Sequence, residues 1–366
     1  MENTTSKDQL KATSQGFYEL FNQSKVPLFQ NKVFVSEDEA KKSPVGEVKL
    51  VQSKATGFVY NFLFDDSIMN YDENYHNEQS NSGYFMSHQQ NVFNLIDSFG
   101  LHGKKIVEIG CGKAHFFNIV KKMGYDIIGF DPTYEGDDKN IVKDYFSEKY
   151  SIEGDVIILR HTLEHIANPH TFLKEIAKAN NYKGYIFIEV PTFDWILKKR
   201  AFWDIFYEHC NYFTEKTLGF MFNEAKTGEL FNGQYIFCYA KLSDLKDKLT
   251  STNIDKIDAL NFLDTLSKWK LKVESGTNTC IWGAGAKGST FVNLIDPLKQ
   301  KIRAVIDINP EKQNKYIAVT GHPIYKPEML LELNCDTLIV MNENYLSEIK
   351  DQLRELNIKI NNIISL

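Results

Sequence analysis

Cysteine is scarce in this chain of 366 residues, and its distribution excludes a disulfide framework. The five cysteines are Cys111, Cys210, Cys238, Cys280 and Cys335. None of them forms a Cys-x-x-Cys pair, and their number is odd. We therefore expect free thiols in a reducing cytoplasm.

Long hydrophobic runs are absent as well. The first twenty residues are polar, so we expect no signal peptide. No apolar stretch approaches the roughly 20 residues that span a bilayer. The sequence therefore predicts a cytoplasmic globular protein without a membrane partner.

The chain also lacks a long basic run, and its net charge is -6. Because nucleic-acid-binding proteins concentrate positive charge, nucleic acid is disfavoured as a partner. The hydrophobic content of 43% and the charged content of 25% are ordinary for a globular protein. A chain of this length is expected to form two or three domains.

One stretch carries a well-defined pattern, residues 104–131. An apolar strand ends near Glu108, a turn follows at Gly110 and Gly112, and apolar residues then recur at helical spacing. A second strand closes at Asp131, which lies 19 positions after Gly112. This pattern predicts a βαβ unit whose glycines let a ligand approach the backbone and whose aspartate suits ribose hydroxyls.

The turn is written Glu-x-Gly-x-Gly, which resembles motif I of class I S-adenosylmethionine (SAM) methyltransferases. A mononucleotide or NAD fold with a variant turn is the alternative. The resemblance implies SAM as the cofactor and an α/β, Rossmann-like domain with a seven-stranded sheet. The expected cofactor-binding residues are Glu108, Gly110, Gly112, Phe116, Asp131, Asp144, Arg160 and His161.

The continuous apolar run at 155–159 predicts a central parallel strand. The sequence Arg-His-Thr-Leu-Glu-His follows it, and this resembles the segment after the fourth strand of many SAM methyltransferases. His161 and His165 form a His-x-x-x-His pair, but no third ligand is nearby in the sequence, so we expect no metal. Asp144 is expected to meet the adenine amino group, with an exposed loop aspartate as the alternative.

The aromatic segment 202–213, FWDIFYEHCNYF, indicates a more specific resemblance, to one family of SAM methyltransferases. Its Tyr-Glu-His-x-x-Tyr-Phe is similar to the sugar C-methyltransferase family, which methylates deoxyketo sugars carried on dTDP. Members have an N-terminal zinc module, a central SAM domain and a C-terminal Rossmann-like domain. The resemblance implies that His209 is the general base that removes a proton from the carbon beside the ketone.

The residue types agree with that chemistry, because a carbon nucleophile needs a base and a donor for the developing oxyanion. His209 can act as the base and Glu208 can orient its ring. Tyr207, Tyr212 or Tyr75 can be the donor. The same histidine would serve an oxygen or nitrogen nucleophile, and these residues could instead be wall or core residues.

Short β-like pieces between residues 26 and 64 predict a small antiparallel module. No cysteine precedes position 111, and only two histidines precede residue 100, so we expect no zinc there. The long polar segment 65–87 predicts either a functional loop or a solvated connector. Its candidate ligand-binding side chains are Tyr71, Tyr75, Gln79, Ser80 and Ser82.

The C-terminal part begins with a charged stretch, residues 245–273, that predicts a pair of helices. Then Gly283-x-Gly285-x-x-Gly288 and an acidic residue 19 positions later, Asp307, match a dinucleotide-binding pattern. Only about ninety residues remain from there, too few for two mononucleotide-binding halves. The resemblance implies that this turn, with Lys287, faces the diphosphate of the substrate; bound NAD and a purely structural domain are the alternatives.

We therefore expect an N-terminal module with its loop at 1–87, a SAM domain at 88–243, and linker helices with a Rossmann-like domain at 244–366. The predicted enzyme is a SAM-dependent methyltransferase acting on a nucleotide-linked keto sugar, as a monomer or homodimer. An O- or N-methyltransferase acting on a sugar or small metabolite is one alternative. A non-catalytic SAM- or nucleotide-binding protein is the other.

Overall fold

The computed structural model describes residues 16–69, 75–76, 78–101, 103–250 and 254–366. Its strands are β1 (Phe17–Pro27), β2 (Val33–Phe34), β3 (Val45–Ser53), β4 (Val59–Asn61), β5 (Lys105–Ile109), β6 (Asp126–Phe130), β7 (Ile141–Val142), β8 (Val156–Arg160), β9 (Tyr185–Pro191), β10 (Asn211–Tyr212), β11 (Lys226–Leu230), β12 (Tyr235–Lys241), β13 (Thr279–Trp282), β14 (Ile302–Ile306), β15 (Tyr316–Ile317), β16 (Ile324–Tyr325), β17 (Thr337–Val340) and β18 (Asn362–Ser365). Its helices are α1 (Glu37–Lys41), α2 (Gly83–Ser98), α3 (His115–Lys122), α4 (Pro169–Ala179), α5 (Phe193–Lys199), α6 (Glu215–Phe220), α7 (Leu263–Ser275), α8 (Ala286–Ile295), α9 (Met329–Glu332) and α10 (Leu346–Glu355). Within these ranges, no helix has the length and apolar character needed to cross a bilayer.

The central sheet has seven strands in the order β11-β12-β9-β8-β5-β6-β7. The strands β5 to β9 run parallel, while β12 is antiparallel to both β9 and β11. Buried apolar side chains on both faces explain why β8 reads as an unbroken apolar run. The predicted Rossmann-like methyltransferase fold with its seven-stranded sheet is confirmed.

The carboxyl ends of the parallel strands meet at one edge of this sheet. The chain crosses over between the neighbouring strands β5 and β8, which leaves a crevice at that edge. The first glycine turn follows β5, and the segment that begins with His161 follows β8. The fold therefore brings these two separate sequence segments to one place.

A second sheet forms the N-terminal module, in the order β1-β3-β4-β10. The pairings are antiparallel, as the sequence predicts. Its edge strand β10 comes from the aromatic segment, where Asn211 pairs with Tyr60. Cys210 directly precedes β10, and its carbonyl oxygen accepts the amide hydrogen of Asn61. The loop that carries His209 is thus held between the central and N-terminal sheets.

The third sheet is parallel throughout, in the order β16-β14-β13-β17-β18. With α8 and α10, this sheet forms the Rossmann-like α/β part that the sequence predicts for the C-terminal region. A short antiparallel pair, β2 with β15, joins this part of the chain to the N-terminal module.

The prediction of a helix pair at residues 245–273 is wrong for its first half. Among the described residues of this stretch, α7 is the only helix, and residues 254–262 are not helical. Their backbone groups bond instead to the N-terminal strands: the Leu260 amide donates to the Leu20 carbonyl at 2.7 Å, and the Ile257 amide donates to Gln52 Oε1 at 2.9 Å. These tertiary hydrogen bonds replace the local ones of a helix.

One hydrophobic core joins the three parts of the chain. The N-terminal strands, the segment after β9 and the C-terminal sheet all contribute to it. Representative members are Leu50, Phe193, Phe202, Phe291 and Val305. Packing of this kind fixes the three sheets against one another.

A buried ionic network ties α2 to the central sheet. Glu189 on β9 is completely buried and accepts hydrogen bonds from Arg160 Nε at 2.6 Å and His88 Nε2 at 2.6 Å. Burial opposes ionisation of Glu189, but the charges and hydrogen bonds of Arg160 and His88 hold the pKa of this carboxyl below its usual value. The network therefore contains a buried carboxylate that its partners keep ionised.

We expect the substitution Glu189→Gln to lower the free energy of unfolding by about 3–5 kcal/mol, because it leaves the buried Arg160 guanidinium without a counter-ion. Urea denaturation followed by circular dichroism measures this change. The matched control is Glu148→Gln, which removes an exposed ion pair with Lys178 and should change the free energy by less than about 1 kcal/mol. Equal small effects of both variants would contradict a stabilising role for the buried network.

Candidate active site

A cavity of about 410 Å³ is lined by residues of all three sheets and their loops. Asn31 and Tyr75 come from the N-terminal part, while Gly110 and His209 come from the central part. Gly283 comes from the C-terminal sheet. Both glycine turns and the aromatic segment therefore open onto one space.

The first glycine turn has the conformation that only glycine adopts readily. Gly110 has φ 80°, and a Cβ there would overlap Thr162 Oγ1. Gly112 has φ 53°, and its amide donates to Asp131 Oδ2 at 2.8 Å. Both glycines line the cavity, so the backbone of this turn is accessible to a ligand.

Asp131 lies behind this turn and is not a lining residue of the cavity. Its Oδ2 accepts the Gly112 amide hydrogen, and its Oδ1 accepts the Thr133 amide at 2.8 Å. In the structure, the carboxylate thus holds the turn in place.

Glu108, Phe116 and Arg160 line the same end of the cavity. Burial and, to a lesser degree, the nearby Asp131 raise the pKa of Glu108 to about 8, against the opposing effect of Arg160. The Arg160 guanidinium lies over the Phe116 ring, 4.4 Å from its centre. Glu108 Oε2 and Arg160 Nη2 are buried and have no hydrogen-bond partner among the described residues. Both atoms are available to a polar ligand.

His161 lines the cavity next to Arg160, whereas Asp144 does not. Asp144 lies on the surface, where hydrogen bonds from Lys149 and Tyr150 lower its pKa to about 2. It therefore matches the alternative of an exposed loop aspartate, and the structure gives no support for its contact with adenine.

His209 lies on the cavity wall between two other rings. Its ring centre is 4.2 Å from that of Phe206 and 4.8 Å from that of His165. Burial, together with the nearby His165 and His161, lowers the pKa of His209 well below its usual value. The imidazole of His209 is therefore neutral.

Glu208 does not orient the His209 ring as the sequence suggested. Its Oε2 accepts the Gln30 amide hydrogen at 2.7 Å, and this bond ties the aromatic segment to the N-terminal module. Burial raises the pKa of Glu208 to about 7, although hydrogen bonds from Gln30, Tyr75 and Asn31 oppose the rise. The main-chain oxygen of Glu208 instead lies 2.9 Å from His165 Nδ1.

The three candidate tyrosines differ in their position. Tyr207 is a core residue outside the cavity, where its hydroxyl accepts the Asp65 amide hydrogen at 3.0 Å, so it cannot reach a ligand. Tyr212 lines the cavity, but its hydroxyl is engaged by the backbone of Phe206 at 3.1 and 3.0 Å. Tyr75 lines the cavity and lies close to Glu208.

The polar segment before α2 connects to the C-terminal part of the chain. Gln79, Ser80 and Ser82 line the cavity, and Tyr71 lies outside the described residues. The Ser82 hydroxyl caps α2 and donates to Glu348 Oε2 at 2.6 Å, while Gln79 Oε1 accepts from the Tyr345 hydroxyl at 2.9 Å. Because Ser82 is the cap, the helix begins at Gly83, inside the polar segment 65–87 that the sequence predicted to be a loop or a connector.

The second glycine turn resembles the first in its construction. Gly283 has φ 116°, and the Ala284 amide donates to Asp307 Oδ2 at 2.7 Å. A Cβ at Gly288 would overlap the Gly283 carbonyl oxygen, so glycine is required where α8 packs on the turn. Lys287 lines the cavity, and its Nζ lies 3.2 Å from both Asp204 Oδ2 and Gln234 Oε1.

Lys312 is a cavity residue to which the sequence argument gave no role. It is only 3% exposed, and its Nζ donates to the Ala284 carbonyl at 3.3 Å. Burial lowers its pKa, while the carboxyl groups of Asp307 and Glu208 oppose this effect. Lys312 lies five residues after Asp307, in the sequence DINPEK, but nothing in the sequence places its side chain beside the turn.

Glu164 and His165 also line the cavity. Both belong to the segment after β8. From the sequence, His165 was considered only as part of a His-x-x-x-His pair, and Glu164 was assigned no role. Glu189, the buried partner of Arg160, and His88, which bonds Glu189, were likewise missed; His88 and Glu189 are 101 positions apart in the chain.

Two family models match this chain. The model of the methyltransferase domain matches residues 86–226, and the model of the C-methyltransferase C-terminal domain matches residues 252–365. Among the relatives, the C-methyltransferase NovU of Streptomyces niveus is 23% identical over 319 residues, which cover 75% of this chain and 76% of that protein. The ubiquinone biosynthesis O-methyltransferase of Maricaulis maris is 28% identical over 105 residues, with 23% of this chain and 41% of that protein covered.

Solved structures of SAM-dependent methyltransferases also match part of this chain. The one from Archaeoglobus fulgidus is 19% identical with a TM-score of 0.34, and the match covers 44% of this chain and all of that chain. The two matched family models, the order of strands in the central sheet and the glycine turn after β5 thus identify the protein as an S-adenosylmethionine-dependent methyltransferase that carries a C-methyltransferase C-terminal domain.

Proposed function

We propose that this enzyme methylates a carbon atom beside the ketone of a nucleotide-linked sugar, with His209 as the general base. The observation that carries the proposal is the position of His209 on the wall of a cavity shared by both glycine turns. Such a cavity can hold a methyl donor at one end and a phosphate-bearing acceptor at the other. The match to a C-methyltransferase C-terminal domain supports carbon as the acceptor atom.

The residues at the first turn fit SAM. The glycine backbone at 110 and 112 admits close approach, and Phe116 offers an aromatic face under Arg160. The unpartnered Arg160 Nη2 suits the carboxylate of the amino-acid part, and Glu108 suits its ammonium group. His161 lies beside Arg160 on the same wall. We assign these residues to the cofactor.

When bound, SAM supplies an electrophilic methyl group. His209 would accept the proton from the sugar carbon beside the ketone, and the electron pair of that C–H bond would form the new bond to the methyl carbon. The bond between the methyl carbon and sulfur would break in the same step, and its electron pair would stay on the sulfur, which leaves as a neutral thioether. Tyr75, on the same wall, is the proposed donor to the enolate oxygen.

The second turn fits the phosphates of the acceptor. Gly285, Ala286, Lys287 and Gly288 line the cavity at the start of α8, a ten-residue helix whose N-terminus favours anions. Lys287 supplies a positive charge there, and Gln79 and Ser80 reach the same cavity from the polar segment before α2. We assign this end of the cavity to a nucleoside diphosphate.

An O- or N-methyltransferase is the second candidate, since one relative is an O-methyltransferase over a short match. It would use the same cavity and base but would need no enolisable ketone. A protein that binds SAM without catalysis would need no base, so the placement of His209 beside both turns does not favour it.

The substitution Gly110→Ala is expected to weaken SAM binding at least about tenfold, or about 1.4 kcal/mol, because the new methyl group overlaps Thr162 and narrows the turn. Isothermal titration calorimetry measures this affinity. The control is Gly124→Ala, since Gly124 has φ 87° but a Cβ there meets no other atom within 4 Å. Both variants carry the strain of a left-handed residue, so equal SAM affinities would contradict the assignment of the turn.

The base is tested by hydrogen exchange without SAM. We expect the enzyme to exchange the proton beside the ketone of a dTDP-linked deoxyketo sugar in D2O, and His209→Asn to slow this exchange about 100-fold or more. Proton NMR of the sugar measures the rate. The control is His170→Asn, because His170 is half-buried and lies outside the cavity.

Two results would decide against the proposed base. Exchange at equal rates in the wild type and His209→Asn would exclude His209. Methyl transfer without any exchange would favour the O- or N-methyltransferase.

The substitution Lys287→Met is expected to weaken the binding of dTDP at least about tenfold, because a charge-assisted contact with phosphate is lost. Calorimetric titration with dTDP and with thymidine separates the phosphate contribution from that of the nucleoside. Lys199→Met is the matched control, since Lys199 also lies over Trp195 and pairs with a carboxylate, but it does not line the cavity. An unchanged dTDP affinity in Lys287→Met would refute the assignment.

A further inference from the structure

Glu164 is a buried carboxylate that lacks a hydrogen-bond donor. It is 2% exposed, it lines the cavity, and neither of its carboxylate oxygens has a hydrogen-bond partner in the part of the chain that the structure describes. The nearest ionisable atom is His161 Nδ1, 3.7 Å from Oε1, which is too far for a hydrogen bond. A buried carboxylate in this state is costly unless a ligand compensates it.

Two imidazoles face the same point. Glu164, His165 and His209 each place one ligand atom within 4.8 Å of the others. The first two follow β8, and the third comes from the aromatic segment 44 positions further along the chain. The sequence argued against a metal at the pair His161 and His165 because no third ligand was nearby. The cluster in the structure contains Glu164 in place of His161, and the fold adds His209 from the distant segment.

The tautomer of His165 is set by its surroundings. Its Nδ1 lies 2.9 Å from the main-chain oxygen of Glu208, and a carbonyl oxygen only accepts hydrogen bonds, so Nδ1 carries the hydrogen. In the neutral ring, Nε2 therefore carries the lone pair. A histidine that donates one N–H to a backbone carbonyl is the usual outer-shell arrangement of metal-binding histidines.

We propose that Glu164, His165 and His209 form a site for a divalent transition-metal ion of the Zn²⁺ type. Two imidazoles and one carboxylate are a ligand set that Zn²⁺ accepts, and a fourth position would open onto the cavity. None of these three residues is among those assigned to SAM, although His161 of that set lies 3.7 Å from Glu164 Oε1. It would also supply the charge that compensates the buried Glu164 carboxylate.

One consequence rests on the proposed function. If His209 is the base, an ion bound to its lone pair prevents it from accepting a proton. Zn²⁺ would therefore inhibit the enzyme reversibly, and removal of the ion by a chelator would restore activity.

The test uses the full chain without a histidine tag, freed of metal by a chelator and titrated with Co²⁺, a spectroscopic substitute for Zn²⁺. We expect one equivalent of Co²⁺ to give the intense visible absorption of four- or five-coordinate Co²⁺, and one equivalent of Zn²⁺ to displace it. Glu164→Gln and His165→Asn should each weaken Co²⁺ binding at least about tenfold. His170→Asn is the control and should bind like the wild type.

The possible results test the proposal of a metal site independently of the proposal that His209 is the base. Only weak six-coordinate absorption, or equal Co²⁺ affinity in the wild type and Glu164→Gln, would overturn the site. Circular dichroism melting curves establish that each variant is folded.

Inhibition by Zn²⁺ is measured with the same D2O assay, as the rate at which the proton beside the ketone exchanges. Co²⁺ binding with Zn²⁺ inhibition of the wild type, and inhibition at least about tenfold weaker in Glu164→Gln, supports both proposals. Co²⁺ binding without Zn²⁺ inhibition supports the metal site and contradicts the role of His209 as the base.

Discussion

The active site depends on one buried ionic contact, that of Glu189 with Arg160 and His88. Glu189 is completely buried, and a buried carboxylate is stable only when it is paired. Arg160 and His88 provide this pairing through their hydrogen bonds to Glu189. The main-chain oxygen of Glu189 also accepts the His161 amide hydrogen at 2.9 Å. This contact therefore holds β8, β9 and α2 in fixed relation, and it sets Arg160 over Phe116 at the proposed cofactor end of the cavity.

The aromatic segment at 202–213 is the second constraint. It supplies a strand to the N-terminal sheet, apolar side chains to the shared core and a carboxylate that accepts the Gln30 amide. Because its two ends are fixed in this way, the ring of His209 has a defined place on the cavity wall. Residues of this segment that are close in sequence therefore have different roles. Tyr207 packs in the hydrophobic core, and His209, the proposed base, lines the cavity.

The two glycine turns follow the same construction. In each, an acidic residue at the end of the next strand accepts an amide hydrogen from the turn, Asp131 from Gly112 and Asp307 from Ala284. The spacing of 19 positions is therefore that of a βαβ unit in which the residue at the end of the second strand bonds the turn after the first strand. It explains why the second turn matches a dinucleotide pattern although the sheet around it has only five strands.

The sequence by itself determined the class of fold and the cofactor, because a strand, a glycine turn and a following acidic residue are local features with fixed spacing. It also located the segments that reach the cavity. Only the tertiary structure decided which side chains of those segments face it. Tyr207 turns into the core, Asp144 turns to the surface, Lys312 lies beside the second turn, and Glu164 meets His209. These positions depend on contacts between residues far apart in the chain, and periodicity carries no information about such contacts.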